Sequence, residues 1–164
     1  MAIHLNSSVT ELNGIGVKAL QDFRNMGIAS VQDLLWYVPF RYDDYSKVSE
    51  IADVKHGDTV TIHGEIISIE SRPSKNKRLK IVEAIVHDGT GEIKITWFNQ
   101  EYFIKTLPVG TKRAFAGRVD NRFGLSLVNP VQEPVGKNIH TGRIVPIYGL
   151  SGTLKMRRLR DAIK

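Results

Sequence analysis

Cysteine is absent from the 164 residues, so no disulfide can form and no thiolate can bind zinc or attack a substrate. That suits a reducing compartment. Long apolar runs are missing too. No stretch of about 18 apolar residues exists to span a bilayer, and Met1 to Thr10 lacks the charged-then-apolar pattern of a secretory signal. A cytoplasmic, soluble protein with no membrane partner is the expectation. No G-x-x-x-x-G-K-S/T segment occurs, which removes the usual loop for nucleotide phosphates. The histidines His4, His56, His63, His87 and His140 have no metal-ligand spacing and read as surface or turn residues. No Ser, His and Asp set has a nucleophile context. The chain alone is expected to be no enzyme and to hold no metal or cofactor.

What is present fits a folded domain. Hydrophobic residues make up 41% and charged residues 24%, close to globular averages, so a core can form. Basic residues outnumber acidic ones 23 to 17, a formal net charge of +6, and the excess is unevenly placed. Met1 to Asp58 holds 5 Lys/Arg and 8 Asp/Glu, Thr59 to Leu150 holds 13 and 8, and Ser151 to Lys164 holds 5 and 1. A positive middle and tail attract polyphosphate chains, although many basic surfaces serve only solubility.

Periodicity divides the chain. Gly14-Ile15-Gly16 opens a segment with Ala19, Leu20 and Phe23 on one helical face, and Gly27 ends it. Ser30 reads as an N-cap with Asp33 three residues on. Val31, Leu34, Leu35 and Val38 then give an amphipathic helix face that Pro39 stops. From Asp58 the period is two. Val60, Ile62, Gly64 and Ile66 share one face, and a second strand covers Leu79 to His87. Asp88-Gly89-Thr90-Gly91 makes a hairpin turn into a third strand, with Ile93, Ile95 and Trp97 on one face and Lys94, Thr96 and Phe98 on the other. A short helix from Gln100 to Leu107 follows, buried through Phe103, Ile104 and Leu107. Strands at Thr111 to Asp120 and Leu125 to Val128 flank the turn Asn121 to Gly124.

Three strands, a short helix and two strands is the layout of the five-stranded oligonucleotide-binding (OB) barrel. The expected architecture is mainly β. Residues 1–57 form a helix-hairpin-helix-like pair of short helices packed on the barrel, and residues 58–135 form the OB-fold barrel. Residues 136–164 form a linker and the start of a basic helix whose apolar residues Leu154, Leu159 and Ile163 have little to pack on.

Such barrels place their ligand on strands two and three and on the loops after strands one and four. The first of these loops carries Arg72, Lys75, Lys77, Arg78 and Lys80 with no acid among them, a pattern that can track a phosphate backbone or simply solvate a hairpin tip. Lys94 on strand three and Arg122 in the second loop extend the candidate backbone contacts. Alternation exposes Phe98 beside Lys94 and Thr96, and Tyr102 points away from the helix's buried face. Two exposed aromatics beside basic strands form a platform on which bases stack. A bulge at the strand end would turn Phe98 inward instead. The Gly14-Ile15-Gly16 hairpin could hold a phosphate through its amides, but the net −3 around it favours a packing role.

Several segments together resemble the N-terminal wedge domain of the bacterial RecG family of DNA helicases. They are Leu12-Asn13-Gly14-Ile15-Gly16, Gly27-Ile28 leading to Val31 to Leu35, Pro39-Phe40-Arg41-Tyr42-Asp43, His87 to Gly91, Trp97-Phe98-Asn99 and Ile144-Val145-Pro146-Ile147-Tyr148. The resemblance covers nearly the whole chain. It implies an OB barrel at a replication fork or Holliday junction that splits the duplex while a separate motor, using ATP and Mg²⁺, pulls DNA past it. It also implies that exposed aromatics, by position Phe98 and Tyr102, cap unpaired bases at the branch. Motor motifs do not follow Lys164, so the helicase activity belongs to a longer parent protein. The partners implied are branched or single-stranded DNA and that protein's motor domains. A different reading is a protein-interaction module whose groove takes an acidic tail, such as that of single-strand DNA-binding protein.

Overall fold

A computed structural model of the chain describes residues 2–13, 15–74, 79–122 and 124–163. In chain order the elements are a 3₁₀ turn (Val9–Glu11), α1 (Val17–Asn25), α2 (Val31–Trp36), β1 (Arg41–Asp44), a second 3₁₀ turn (Ile51–Asp53), β2 (Thr59–Pro73), β3 (Lys80–His87) and β4 (Glu92–Phe98). Then come α3 (Tyr102–Thr106), β5 (Lys112–Asp120), β6 (Ser126–Val128), β7 (Val131–Glu133), β8 (Ile144–Ile147) and α4 (Met156–Ile163). The chain divides into two compact units, Met1–Asp43 with Pro146–Lys164, and Asp44–Val145. The expected division ran in sequence order, whereas here the first unit is assembled from both ends of the chain.

The end-built unit has its own core of Val9, Ile15, Ala19, Phe23, Ile28, Leu34, Tyr148, Leu154 and Leu159. The apolar residues of α4 were expected to have little to pack on. The core shows instead that Leu154 and Leu159 complete the apolar face of the N-terminal helices. Asp22 of α1 secures the junction by accepting the Thr153 amide (3.1 Å) and hydroxyl (3.0 Å). Gly152 sits between them at φ +62°, where a β-carbon would overlap the Asp22 carboxylate, so only glycine fits. The Ser30 cap forms as expected, its hydroxyl accepting from the Asp33 amide (3.1 Å) while the Asp33 carboxylate accepts from the Ser30 amide (2.9 Å). The expected α2 face is only partly buried. Leu34 is inside, but Leu35 faces solvent from within the helix and Val38 is exposed beyond its end at Trp36.

In the second unit, pairing runs β2–β3–β4–β6–β5, and β5 pairs back to β2, closing a ring of five strands; β7 adds to β5. All these pairs are antiparallel except β4–β6. This is the OB-fold arrangement. Its interior holds Val60, Ile62, Ile66, Val82, Ala84, Val86, Ile93, Ile95, Trp97, Phe103, Leu107, Phe115, Val119 and Leu127. Ile104, expected inside, is 37% exposed, since one turn of α3 can bury only two of the three.

β2 is much longer than its alternating stretch. A bulge between Ile66 and Ser68 shifts the phase, so that Ile69 faces the core after it. The turn at 88–91 is held by Asp88, whose carboxylate accepts from the amides of Ile51 (2.7 Å), Thr90 (2.9 Å) and Gly91 (3.2 Å).

The expected linker from Gly136 to Leu150 is ordered structure. Glu133, fully buried, accepts hydrogen bonds from the amides of Ile139 (3.0 Å), His140 (2.9 Å) and Thr141 (2.7 Å) and from the Thr141 hydroxyl (2.7 Å). His140, read as a surface or turn residue, lies in a bend and is 1% exposed. The stretch ends in β8, which pairs with β1 as a two-stranded sheet.

Candidate nucleic-acid interface

Alternation along β3 and β4 creates two walls. Val82, Ala84 and Val86, with Ile93, Ile95 and Trp97, point inward. Ile81, Glu83 and Ile85, with Lys94, Thr96 and Phe98, form the outer side. Antiparallel register sets Ile81 opposite Phe98, Glu83 opposite Thr96 and Ile85 opposite Lys94. Beyond the bulge, β2 adds Glu70 opposite Glu83 and Arg72 opposite Ile81. On the other flank β6 adds Val128 beside Thr96.

Phe98 closes β4 and is 37% exposed, and Tyr102 is 49% exposed. No bulge turns Phe98 inward. The backbone around it is pinned by two asparagines in the left-handed region, Asn99 at φ 56° and Asn129 at φ 46°, a conformation asparagine tolerates better than most residues. Asn129 accepts the Phe98 amide on Oδ1 at 3.1 Å, and its own amide donates to the Thr96 carbonyl at 2.7 Å. Asn99 donates to the Lys80 carbonyl (2.7 Å) and accepts the Lys80 amide on Oδ1 (3.0 Å). The Tyr102 hydroxyl donates to Gln100 Oε1 at 3.0 Å. Beneath this corner the Trp97 and Phe103 rings meet at 4.7 Å, which ties α3 and its Tyr102 to β4.

The predicted cations stand differently from one another. Arg72 lies at the end of β2, not in a loop. Its guanidinium grips Glu83 through two bonds, Nε to Oε2 at 2.8 Å and Nη2 to Oε1 at 3.1 Å. Those bonds hold the Glu83 carboxyl below its usual range and raise Arg72, so a phosphate reaches Arg72 only by competing with Glu83. Lys80 lies 3.5 Å from Glu101, and Arg122 lies 3.1 Å from Asp120. Lys94 forms no ion pair among the described residues. Lys75, Lys77 and Arg78 lie outside the described residues.

One cation escaped the sequence reading. Arg118, exposed on β5 next to the buried Val119, lines a shallow cavity of about 770 Å³ with His56, Asp120, Asn121, Arg122 and Val128. Strict alternation from Val119 would have pointed Arg118 outward. The signal was masked by Ala114 to Gly117, four consecutive buried residues. Among the described residues, no group of three or more His, Asp or Glu is placed to hold a metal ion, and no helix is long and apolar enough to cross a membrane.

The family described as RecG wedge domain matches residues 10–164. The chain belongs to the RecG wedge domain family. Its relatives include the ATP-dependent DNA helicase RecG of Thermotoga maritima, 26% identical over 163 residues, covering 96% of this chain and 20% of that protein. The Synechocystis RecG is 33% identical over 158 residues, covering 85% and 19%. A solved structure of RecG bound to a three-way DNA junction superposes with a TM-score of 0.82 at 26% identity, covering 99% of this chain and 22% of that one. The chain thus spans about a fifth of the length of the relatives it matches. The wedge-family assignment and the closed five-stranded ring agree on an OB-fold domain.

Proposed function

We propose that this chain binds branched DNA on the outer side of β3 and β4 and separates strands at the branch, serving an ATP- and Mg²⁺-dependent motor in a longer protein. The observation that carries the reading is Phe98. It is a large aromatic on the solvent side of the barrel wall, on a backbone locked by Asn99 and Asn129. A ring carried on a fixed backbone leaves less chain entropy to lose when a base stacks on it. Tyr102 offers a second exposed ring, at the start of α3. Lys80, Lys94, Arg118 and Arg122 supply positive charge for the flanking backbone, with Arg72 available when phosphate displaces Glu83. The RecG relative bound to a three-way junction supports the choice of branched DNA.

Fluorescence anisotropy against a model fork, a single strand and a blunt duplex tests this. Phe98→Ala is expected to weaken fork binding by about 1–3 kcal/mol, with a smaller effect on duplex. Equal losses on both would remove the stacking role. In the same titrations about four or five neutralised phosphates give a log–log salt slope of roughly −3 on single strands, and a flat response would remove the basic surface. Binding of an acidic peptide tail at the barrel with no DNA binding would replace the proposal with a protein-interaction module.

A further inference from the structure

The first unit carries a basic surface that the barrel reading leaves unused. α4 buries Leu159 and points Arg157 and Arg158 into solvent. Both arginines line a cavity of about 380 Å³, together with Lys155, Asp161 and Ala162 of the same segment and Asn13 and Ile15 ahead of α1. Among the described residues neither arginine is paired with a carboxylate. The cavity lies beside the start of α1, whose N-cap Gly16 has no side chain to close the first amides, so the positive end of that helix adds to the field.

Assembly from both chain ends changes the electrostatics of this unit. Residues 1–43 carry three Lys/Arg and four Asp/Glu, whereas residues 146–164 carry five and one. The assembled unit therefore has eight basic and five acidic residues, net +3. The acidity that argued against a phosphate contact at the hairpin is reversed by the tail that folds onto it.

We infer that Arg157 and Arg158, beside Asn13 and Ile15, form a second DNA contact that grips the sugar–phosphate backbone of a duplex arm. The inference rests on the reading of the chain as a DNA-binding wedge. The lining residues include no aromatic ring, so nothing there stacks on an unpaired base as Phe98 can. Each guanidinium presents a planar fork of donors that suits phosphate oxygens. Duplex presents one charge per about 1.7 Å of axis, twice the density of one of its strands, so a patch that recognises phosphate alone favours duplex.

The test is anisotropy of the 164-residue chain on a blunt duplex, a single strand and a fork across a range of salt. The double variant Arg157→Gln/Arg158→Gln is expected to weaken duplex binding about tenfold at low salt and to reduce the log–log salt slope by about two. Single-strand binding should change far less. Arg157→Lys/Arg158→Lys should recover most of the duplex affinity. The control Lys137→Gln/Arg143→Gln, which removes the same charge from exposed positions of the other unit, should leave duplex binding near wild type. Matched thermal melts check that the variants fold.

Duplex binding unchanged in the double variant overturns the inference, as does an equal loss in the control, which would mean diffuse charge. Retained duplex binding with lost binding of an oligo-glutamate peptide assigns the patch to an acidic protein and also overturns it. If fork binding remains sensitive to Phe98→Ala in these cases, the barrel reading stands alone. Failure of the wild-type chain to bind any of the three DNAs overturns both.

Discussion

Glu133→Ala is expected to destabilise the barrel unit by roughly 3–5 kcal/mol. Two buried amides, a part-buried amide and a buried hydroxyl lose their acceptor, and each orphaned buried donor costs about 1–3 kcal/mol, partly relieved where water reaches the vacated space. The carboxylate gathers the Ile139, His140 and Thr141 amides onto the end of β7, so its loss frees the 139–141 stretch. Thermal unfolding followed by circular dichroism reads the effect, and a melting temperature within a few degrees of wild type would show that the turn holds by other means.

Protonation acts on the same group. Burial alone would raise the Glu133 pKa. The Thr141 hydroxyl and the amides of His140, Thr141 and Ile139 together outweigh burial and hold it below the usual glutamate value. A carboxyl depressed on folding contributes stability that is fully present above its unfolded pKa, near ~4.3, and is lost as pH falls through the lower folded value. Glu133→Gln keeps one acceptor oxygen but cannot titrate. The gap in melting temperature between wild type and Glu133→Gln should therefore be widest near neutrality and should narrow below about pH 4. A gap that stays constant down to strongly acid pH would refute the linkage.

Trp97→Ala is expected to cost about 3–5 kcal/mol through the cavity left by a fully buried large ring. Trp97 is 0% exposed and touches Phe103 at 4.7 Å and Phe115 at 6.3 Å between ring centroids. Trp97→Phe should cost distinctly less. It keeps most of the aromatic packing and removes an indole N–H that has no hydrogen-bond partner among the described residues. Urea denaturation separates the two variants, and equal losses would mean that the full indole volume, not ring packing, holds the site. Trp97 also acts as a positioning residue. Because its ring carries Phe103, the alanine variant should loosen Tyr102 relative to Phe98 and weaken fork binding even at temperatures where the barrel remains folded. The phenylalanine variant should restore that binding.

The candidate interface was readable to the degree that local rules governed it. Phe98 and Lys94 were assigned to the outer side of β4 because strand alternation is a property of the backbone, and here nothing disturbs it. Arg72 was assigned to a free basic loop because its neighbour Glu83 is eleven residues away in sequence and becomes a partner only through β2–β3 pairing. Arg118 went unnoticed because small residues let β5 be buried on both sides, which hides the period-two signal. α2 was overextended because the apolar spacing through Val38 continues past the point where the backbone leaves the helix.

By itself the sequence determined the order of the five ring strands, the inward sets of β4 and of the first half of β2, the Ser30 cap and the family, since each depends on neighbours a few residues apart or on motifs read in line. Tertiary structure alone decided which distant segments meet. It placed Leu154 and Leu159 in the core of the N-terminal helices, set the Glu133 carboxylate under the 139–141 amides, locked Phe98 between Asn99 and Asn129, and turned the hairpin's unit from acidic to basic. These outcomes depend on burial and on charge summed over residues far apart in the chain, and no periodicity carries that information.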